Sequence, residues 1–319
     1  MIHMSPRVVG LGTGVLVAGI FALVVLLPQL TNPEAEQPSA NSRSRSGRET
    51  AGRQLYIQYG CQYCHSQYIR SVDWGLGAER IAQAGDYAGD TAPQLGSIRT
   101  GPDLSQEGGE HSDDWHAAHF FRPRFTRPKS LMPPFPYLKD EPLDALIAYV
   151  QSLGGHMADG RVERQWRWRK PAIAAYEQGV DANIRWLHAQ VPKPWLELPS
   201  PYPITEAGFQ RGQVIYQRNC LGCHGPVGDG QGPAVAFVYP PPLNFTTLRR
   251  VGKEGGVSGG MLYYQIMNGI TGTAMPYFKR ELQSEKIWDV GNYVASQFIG
   301  IVDANGEPRG IDAAYEPSE

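Results

Sequence analysis

A chain of 319 residues is long enough for two ordinary domains with connections, and a single compact domain of that length would be unusual. Its 29 basic residues nearly balance 31 acidic ones, so no polyanion-binding surface is implied and nucleic acid is not expected as a partner. The 37 glycines and 26 prolines argue against one long helical bundle and for compact units with irregular loops.

The first predicted element is residues 8–27, VVGLGTGVLVAGIFALVVLL, an apolar run in which Thr13 is the only polar side chain. At about 1.5 Å per residue it spans the roughly 30 Å hydrocarbon core of a bilayer, which predicts a transmembrane helix held in lipid. A cleavable signal peptide would have a shorter apolar stretch, about 7–15 residues, and a small-residue cleavage site. No A-x-A sequence follows here. Arg7 precedes the run while Glu34 and Glu36 follow it, so residues 1–30 read as a cytoplasmic N-terminus and anchor, with everything beyond outside the cytoplasm. Residues 31–48 are hydrophobe-poor and read as a flexible tether.

From Glu49 one order of landmarks occurs twice. Gly52 and Tyr56 precede CQYCH, which holds Cys61, Cys64 and His65; Met132-Pro133 follows, then Tyr149-Val150. Gly212 and Tyr216 precede CLGCH, which holds Cys220, Cys223 and His224; Met275-Pro276 and Tyr293-Val294 follow. Such agreement predicts two copies of one domain, residues 49–155 and 204–303. Each copy closes on a helix, because Leu143, Leu146, Ile147, Val150 and Leu153 share one face, as do Ile287, Val290, Val294 and Phe298. Gly52 and Gly212 would let the opening helix approach the closing one, with Tyr56 and Tyr216 filling the crossing.

All four cysteines lie in the two C-x-x-C-H motifs. One turn of chain can present both thiols to the vinyl groups of a haem and leave the next imidazole to reach the iron, so the motif predicts covalent haem c, here twice. A zinc ribbon would need its cysteine pairs about 15–20 residues apart, far closer than Cys61 and Cys220. Thioredoxin-like redox work wants a βαβ context, and a disulfide framework leaves the histidines unexplained. Met132 and Met275 each stand before a proline, which stiffens the loop, and are the candidate sixth ligands. With His65 and His224 they would close both irons to substrates, so the haems carry electrons and no catalytic site is expected.

Between the copies, residues 156–203 read as a linker in which Trp166 and Trp168, among Arg161, Arg164, Arg167 and Arg169, lie either on a membrane or partner surface or on a solvated connector. Residues 304–319 are a tail. His116 and His119 stand at helical spacing but lack a third metal ligand.

The stretches GRQLYIQYGCQYCHSQYIR, AER, AGDY, GSIRTGPDLSQEGGEHSDDWHAAHFFRPRF and SLMPPFPYL resemble the membrane-anchored cytochrome c subunit, subunit II, of cbb3-type cytochrome c oxidases. The resemblance covers the anchor and residues 49 to about 153; CHGPVGDGQGP and MPYF look like class I cytochromes c in general. It implies a mainly α protein: a transmembrane helix followed by two class I cytochrome c domains. It also implies that Pro102 and Pro242 offer the carbonyls that accept the Nδ1 hydrogens of the ligand histidines. The function implied is a dihaem electron-transfer subunit of a haem-copper oxidase in the bacterial inner membrane, with its haem domains on the periplasmic side. It would take electrons from a soluble cytochrome c, a cupredoxin or a quinol-oxidising complex and pass them to the catalytic membrane subunit. The electron-entry subunit of a related nitric oxide reductase and a dihaem peroxidase are the alternatives.

Overall fold

The computed structural model describes residues 5–31, 37–76, 80–83, 85–96, 98–250 and 257–300. The start of the N-terminus expected in the cytoplasm, part of the expected tether and the expected tail 304–319 lie outside the described residues. The chain divides into two compact units: Met1–Ser44 with Ala82–Gln94, and Arg45–Ile81 with Leu95–Glu319. Among the described residues all regular structure is helical.

The first unit is dominated by helix α1, Pro6–Thr31, with a mean hydropathy of 2.5 and no buried side chain. Ser5 caps its N-terminus by accepting from the Val8 amide, and Pro6 takes the first helical position, where a missing N–H costs nothing. It is long and apolar enough to cross a membrane. In the same unit Ser39 donates to the Asp86 carboxylate at 2.6 Å.

The second unit contains both repeats. The first runs from α2, Gly47–Gln58, through α3, Asp113–Phe121, to α4, Asp140–Gln151. A capping box starts α2: Ser46 accepts from the Glu49 amide while the Glu49 carboxylate accepts from the Ser46 amide. Two helices, α5 at Gly155–Glu177 and α6 at Val180–Ala189, then lead to the second repeat. That repeat runs from α7, Glu206–Asn219, through α8, Gly259–Asn268, to α9, Ser284–Val294, prolonged by a π-helical turn at Ala295–Ile299.

In each repeat the first helix crosses the last at a glycine. A Cβ on Gly52 would lie 1.8 Å from the Ala145 carbonyl oxygen, and one on Gly212 would lie 2.3 Å from that of Asp289. Backbones that close leave room only for hydrogen. One turn further on, Tyr56 meets Tyr149 edge to face at 5.2 Å, and Tyr216 meets Tyr293 at 5.6 Å. These rings are among the most buried in the protein and anchor two separate apolar cores. The edge-to-face pairing adds about 1 kcal/mol to what burial alone supplies.

The stretch expected as a linker is built into both repeats. Arg161 donates to the Gly108 and Gln106 carbonyls of the first, and Gln165 accepts from the Gly272 amide of the second. Ile184, Leu187 and Val191 belong to the core of the second repeat. Trp166 remains exposed, and Arg167 pairs with Glu163 across one turn of the same helix.

Candidate haem centres

Both C-x-x-C-H motifs fold as a single helical turn. The His65 amide donates to the Cys61 carbonyl at 3.0 Å, and the His224 amide to the Cys220 carbonyl at 2.9 Å. In each, a glycine amide from the following loop ties down the second cysteine: Gly101 donates to the Cys64 carbonyl at 2.9 Å and Gly232 to that of Cys223 at 3.1 Å. Two thiols and one imidazole are thus fixed on one short piece of backbone.

The imidazoles are oriented from behind. His65 Nδ1 lies 2.9 Å from the Pro102 carbonyl oxygen, and Gly101 presses flat on the ring, where a Cβ would come within 2.3 Å of Cε1. His224 Nδ1 lies 3.3 Å from the carbonyl of Leu243, one residue beyond the proline expected to supply it. The Pro242 carbonyl points instead toward Gly230, where a Cβ would sit 2.5 Å away, so the chain has already turned and the next carbonyl reaches the ring. Pro242 still borders the site. Phe245 stacks on His224 at 4.4 Å, and burial pushes that imidazole down to about 4, so it stays in the neutral form that ligates metal.

The methionine loops are also duplicates. The Met132 amide donates to the Ser130 hydroxyl at 3.2 Å, and the Met275 amide to the Thr273 hydroxyl at 3.1 Å. Three residues later the Phe135 amide donates to the Phe120 carbonyl of α3, and the Phe278 amide to the Ile266 carbonyl of α8. Each loop is therefore pinned before and after its methionine. Met132 packs with Cys61 against the Tyr56 and Phe135 core. Met275 lines the same cavity, of about 120 Å³, as Cys220, Cys223 and His224. Met261, which no motif singles out, borders the same cavity from α8.

The chemistry of the donor set separates the readings of the motif. Burial pushes the Cys61 and Cys223 thiols up to about 11 and the Cys220 thiol up to about 12, which disfavours the free thiolate that thiol–disulfide exchange requires. The four cysteines are not joined to one another, and no group of three or more metal-ligating side chains occurs among the described residues. His116 is buried with its Nε2 3.6 Å from the Glu107 carboxylate and packs on Phe120, and His119 bonds the Thr126 hydroxyl at 2.6 Å, so the first is engaged in packing and the second in a hydrogen bond. In the second repeat a largely apolar cavity lined by two thiols, an imidazole and a thioether fits a covalently attached haem.

Two parts of this arrangement escape a reading of local motifs. The hydroxyl two residues before each methionine is written plainly as S-x-M-P and T-x-M-P, a signal that could have been used. Trp115, Thr126 and Arg127 come from the first repeat yet border the cavity of the second, and nothing in their local sequence announces it.

Comparison with known proteins agrees with this geometry. Residues 5–145 match the family model described as cytochrome c oxidase, mono-haem subunit/FixO, and residues 207–294 match that described as cytochrome c oxidase, cbb3-type, subunit III. Among solved structures, the chain is similar to the reducing HAO-like protein complex of Kuenenia stuttgartiensis. Identity there is 24%, with 58% of this chain and 72% of that one covered, but the TM-score of 0.29 is too low to carry an argument. Comparison with curated proteins gives no match. Family and site converge on a haem-bearing electron-transfer subunit of a cbb3-type cytochrome c oxidase, in which an N-terminal part similar to the FixO mono-haem subunit is joined to a second part similar to a cbb3-type cytochrome c domain.

Proposed function

We propose that the chain carries two haems c, one on Cys61 and Cys64 with His65 and Met132 as axial ligands, the other on Cys220 and Cys223 with His224 and Met275. Residues 49–155 and 204–303 are the two cytochrome domains, tethered by α1 to the bacterial inner membrane with the haems on the periplasmic side. A soluble cytochrome c, a cupredoxin or a quinol-oxidising complex delivers electrons to the second haem, and the first passes them to the haem-copper catalytic subunit. Haem c supplies a one-electron iron couple, and His/Met ligation favours a high potential. The protein orients each imidazole through a backbone carbonyl, clamps each methionine loop at two points and keeps water from the ring.

The observation that supports this reading best is the repetition of the whole constellation: helical turn, glycine tie, carbonyl behind the imidazole and hydroxyl before the methionine recur in both copies. A single motif with one clamped methionine would support one haem only.

Haem stoichiometry of the membrane-extracted protein, by pyridine haemochrome and intact mass, should give two adducts per chain. Met275→Ala should lower the midpoint potential of one haem and let that iron bind carbon monoxide, while the other stays closed. An unchanged potential would show that the sulfur ligand lies elsewhere, and ready carbon monoxide binding by the unaltered protein would favour a haem enzyme. Co-purification in mild detergent with a haem-copper subunit tests the partner.

A further inference from the structure

The second haem cavity is not walled by its own domain alone. Trp115, on α3 of the first repeat, is only 7% exposed, borders that cavity and packs against Val238 and Ala274, the latter immediately before Met275. Its indole stacks with two imidazoles, His111 at 3.7 Å with ring planes 29° apart and His119 at 4.6 Å with ring planes 11° apart.

On its other side this stack leads back to the first haem ligand through a short series of polar contacts. His111 Nδ1 lies 2.5 Å from the Glu107 carboxylate, the Glu107 amide donates to the Leu104 carbonyl, and the Leu104 amide donates to the carbonyl of Ser66, next to His65. The same segment carries Pro102, whose carbonyl is bonded to the His65 ring. Trp115 therefore ends a bonded and stacked sequence that begins at the first iron ligand and finishes on the wall of the second cavity.

The fold does not itself require an indole there. Ser112 caps α3 by accepting from the Trp115 amide, and Ser258 caps α8 by accepting from the Met261 amide. The two helices also receive the matching bonds from Phe135 and Phe278 near their ends, so Trp115 and Met261 occupy equivalent positions. The second repeat fills that position with an aliphatic thioether, whereas the first places a stacked aromatic at the junction.

We propose that Trp115 is the residue through which the two haem sites of this chain are electronically coupled. Electron tunnelling falls off more slowly through bonded and closely stacked atoms than across gaps, and this indole fills what would otherwise be a gap at the junction. One electron leaves the second site and one arrives at the first; Trp115 is not itself oxidised, and no bond forms or breaks. The inference rests on the two-haem reading above.

Lying between two sites is not by itself evidence of coupling, so the test must measure a rate. In the full-length protein, rapid photoreduction followed at wavelengths that distinguish the haems reports inter-haem transfer, with haem stoichiometry and both midpoint potentials measured alongside. Trp115→Leu should slow transfer by an order of magnitude or more at unchanged potentials, and Trp115→Phe should fall between. Two haems, unchanged potentials and an unchanged rate in Trp115→Leu would overturn the role of Trp115 and leave the two-haem reading intact. A single haem per chain would overturn that reading and the inference with it. If Trp115→Leu fails to load the second haem, Trp115→Phe decides in the same way, because it keeps an aromatic ring at the site while reducing its overlap with His111 and His119.

Discussion

His116 is 2% exposed and its Nε2 lies 3.6 Å from the Glu107 carboxylate, and burial pushes its imidazole down to about 4. An unfolded chain takes up a proton there near pH 6.5, whereas the folded chain resists until about pH 4. The stability supplied by the neutral ring is complete above pH 6.5, and roughly 3 kcal/mol of it is lost as pH falls through that window. His116→Gln removes the titration, so its unfolding free energy, measured by denaturant titration at several pH values, should depend less steeply on pH between 6.5 and 4 than the wild type. Parallel curves would refute the assignment. At this scale the sequence was most informative about covalent chemistry, because C-x-x-C-H and M-P have few other meanings in duplicate. It was least informative about carbonyls: the bond to His224 comes from Leu243 and not Pro242, since backbone direction depends on a turn around Gly230 that residue identity does not encode.

Helix crossings hold each C-x-x-C-H motif in its repeat. α2 packs on α4 and α7 on α9, each leading into or closing over its motif's repeat, and both contacts depend on a glycine facing a carbonyl. Gly52→Ala and Gly212→Ala each push a methyl into backbone that cannot rotate away, and a cost of about 3 kcal/mol is expected, at the upper end of overpacking penalties. Thermal unfolding should show the loss, and each variant should impair haem retention in its own repeat first. A melting temperature within error of the wild type for both would contradict the crossing geometry. Helices α2, α4, α7 and α9 were legible because apolar periodicity and the glycine-tyrosine pairs repeat. α5 and α6 were not: their charged surface resembles a connector, while Ile184 and Leu187 are too few to mark a core helix without knowing what they face.

Across the whole molecule the two repeats are joined by unequal ion pairs. Arg127 reaches Glu281 and Asn219 at a partly solvated edge, whereas Arg280 and Glu110 pair where both side chains are largely buried. Burial and the nearby Glu107 raise the Glu110 carboxyl, and Arg280 offsets them. Removing the guanidinium raises that carboxyl further, so it is protonated and loses its partner in Arg280→Ala, which should cost about 2 kcal/mol for the unmade buried hydrogen bond. Arg127→Ala should cost about 1 kcal/mol or less. Chemical denaturation of the two variants checks the order, and equal losses would mean that solvent reaches both pairs alike. None of this junction could be read from sequence, since its members lie far apart along the chain and carry no motif.

The carbonyl of Phe125 sits where a methyl on Gly222 would go, 2.1 Å from that position, so one repeat is moulded onto the attachment turn of the other. The C-terminal cytochrome is thus not a detachable bead. Expressed alone, it would present a half-open socket, and a gene carrying only that half would inherit a pocket whose missing side its own sequence cannot supply.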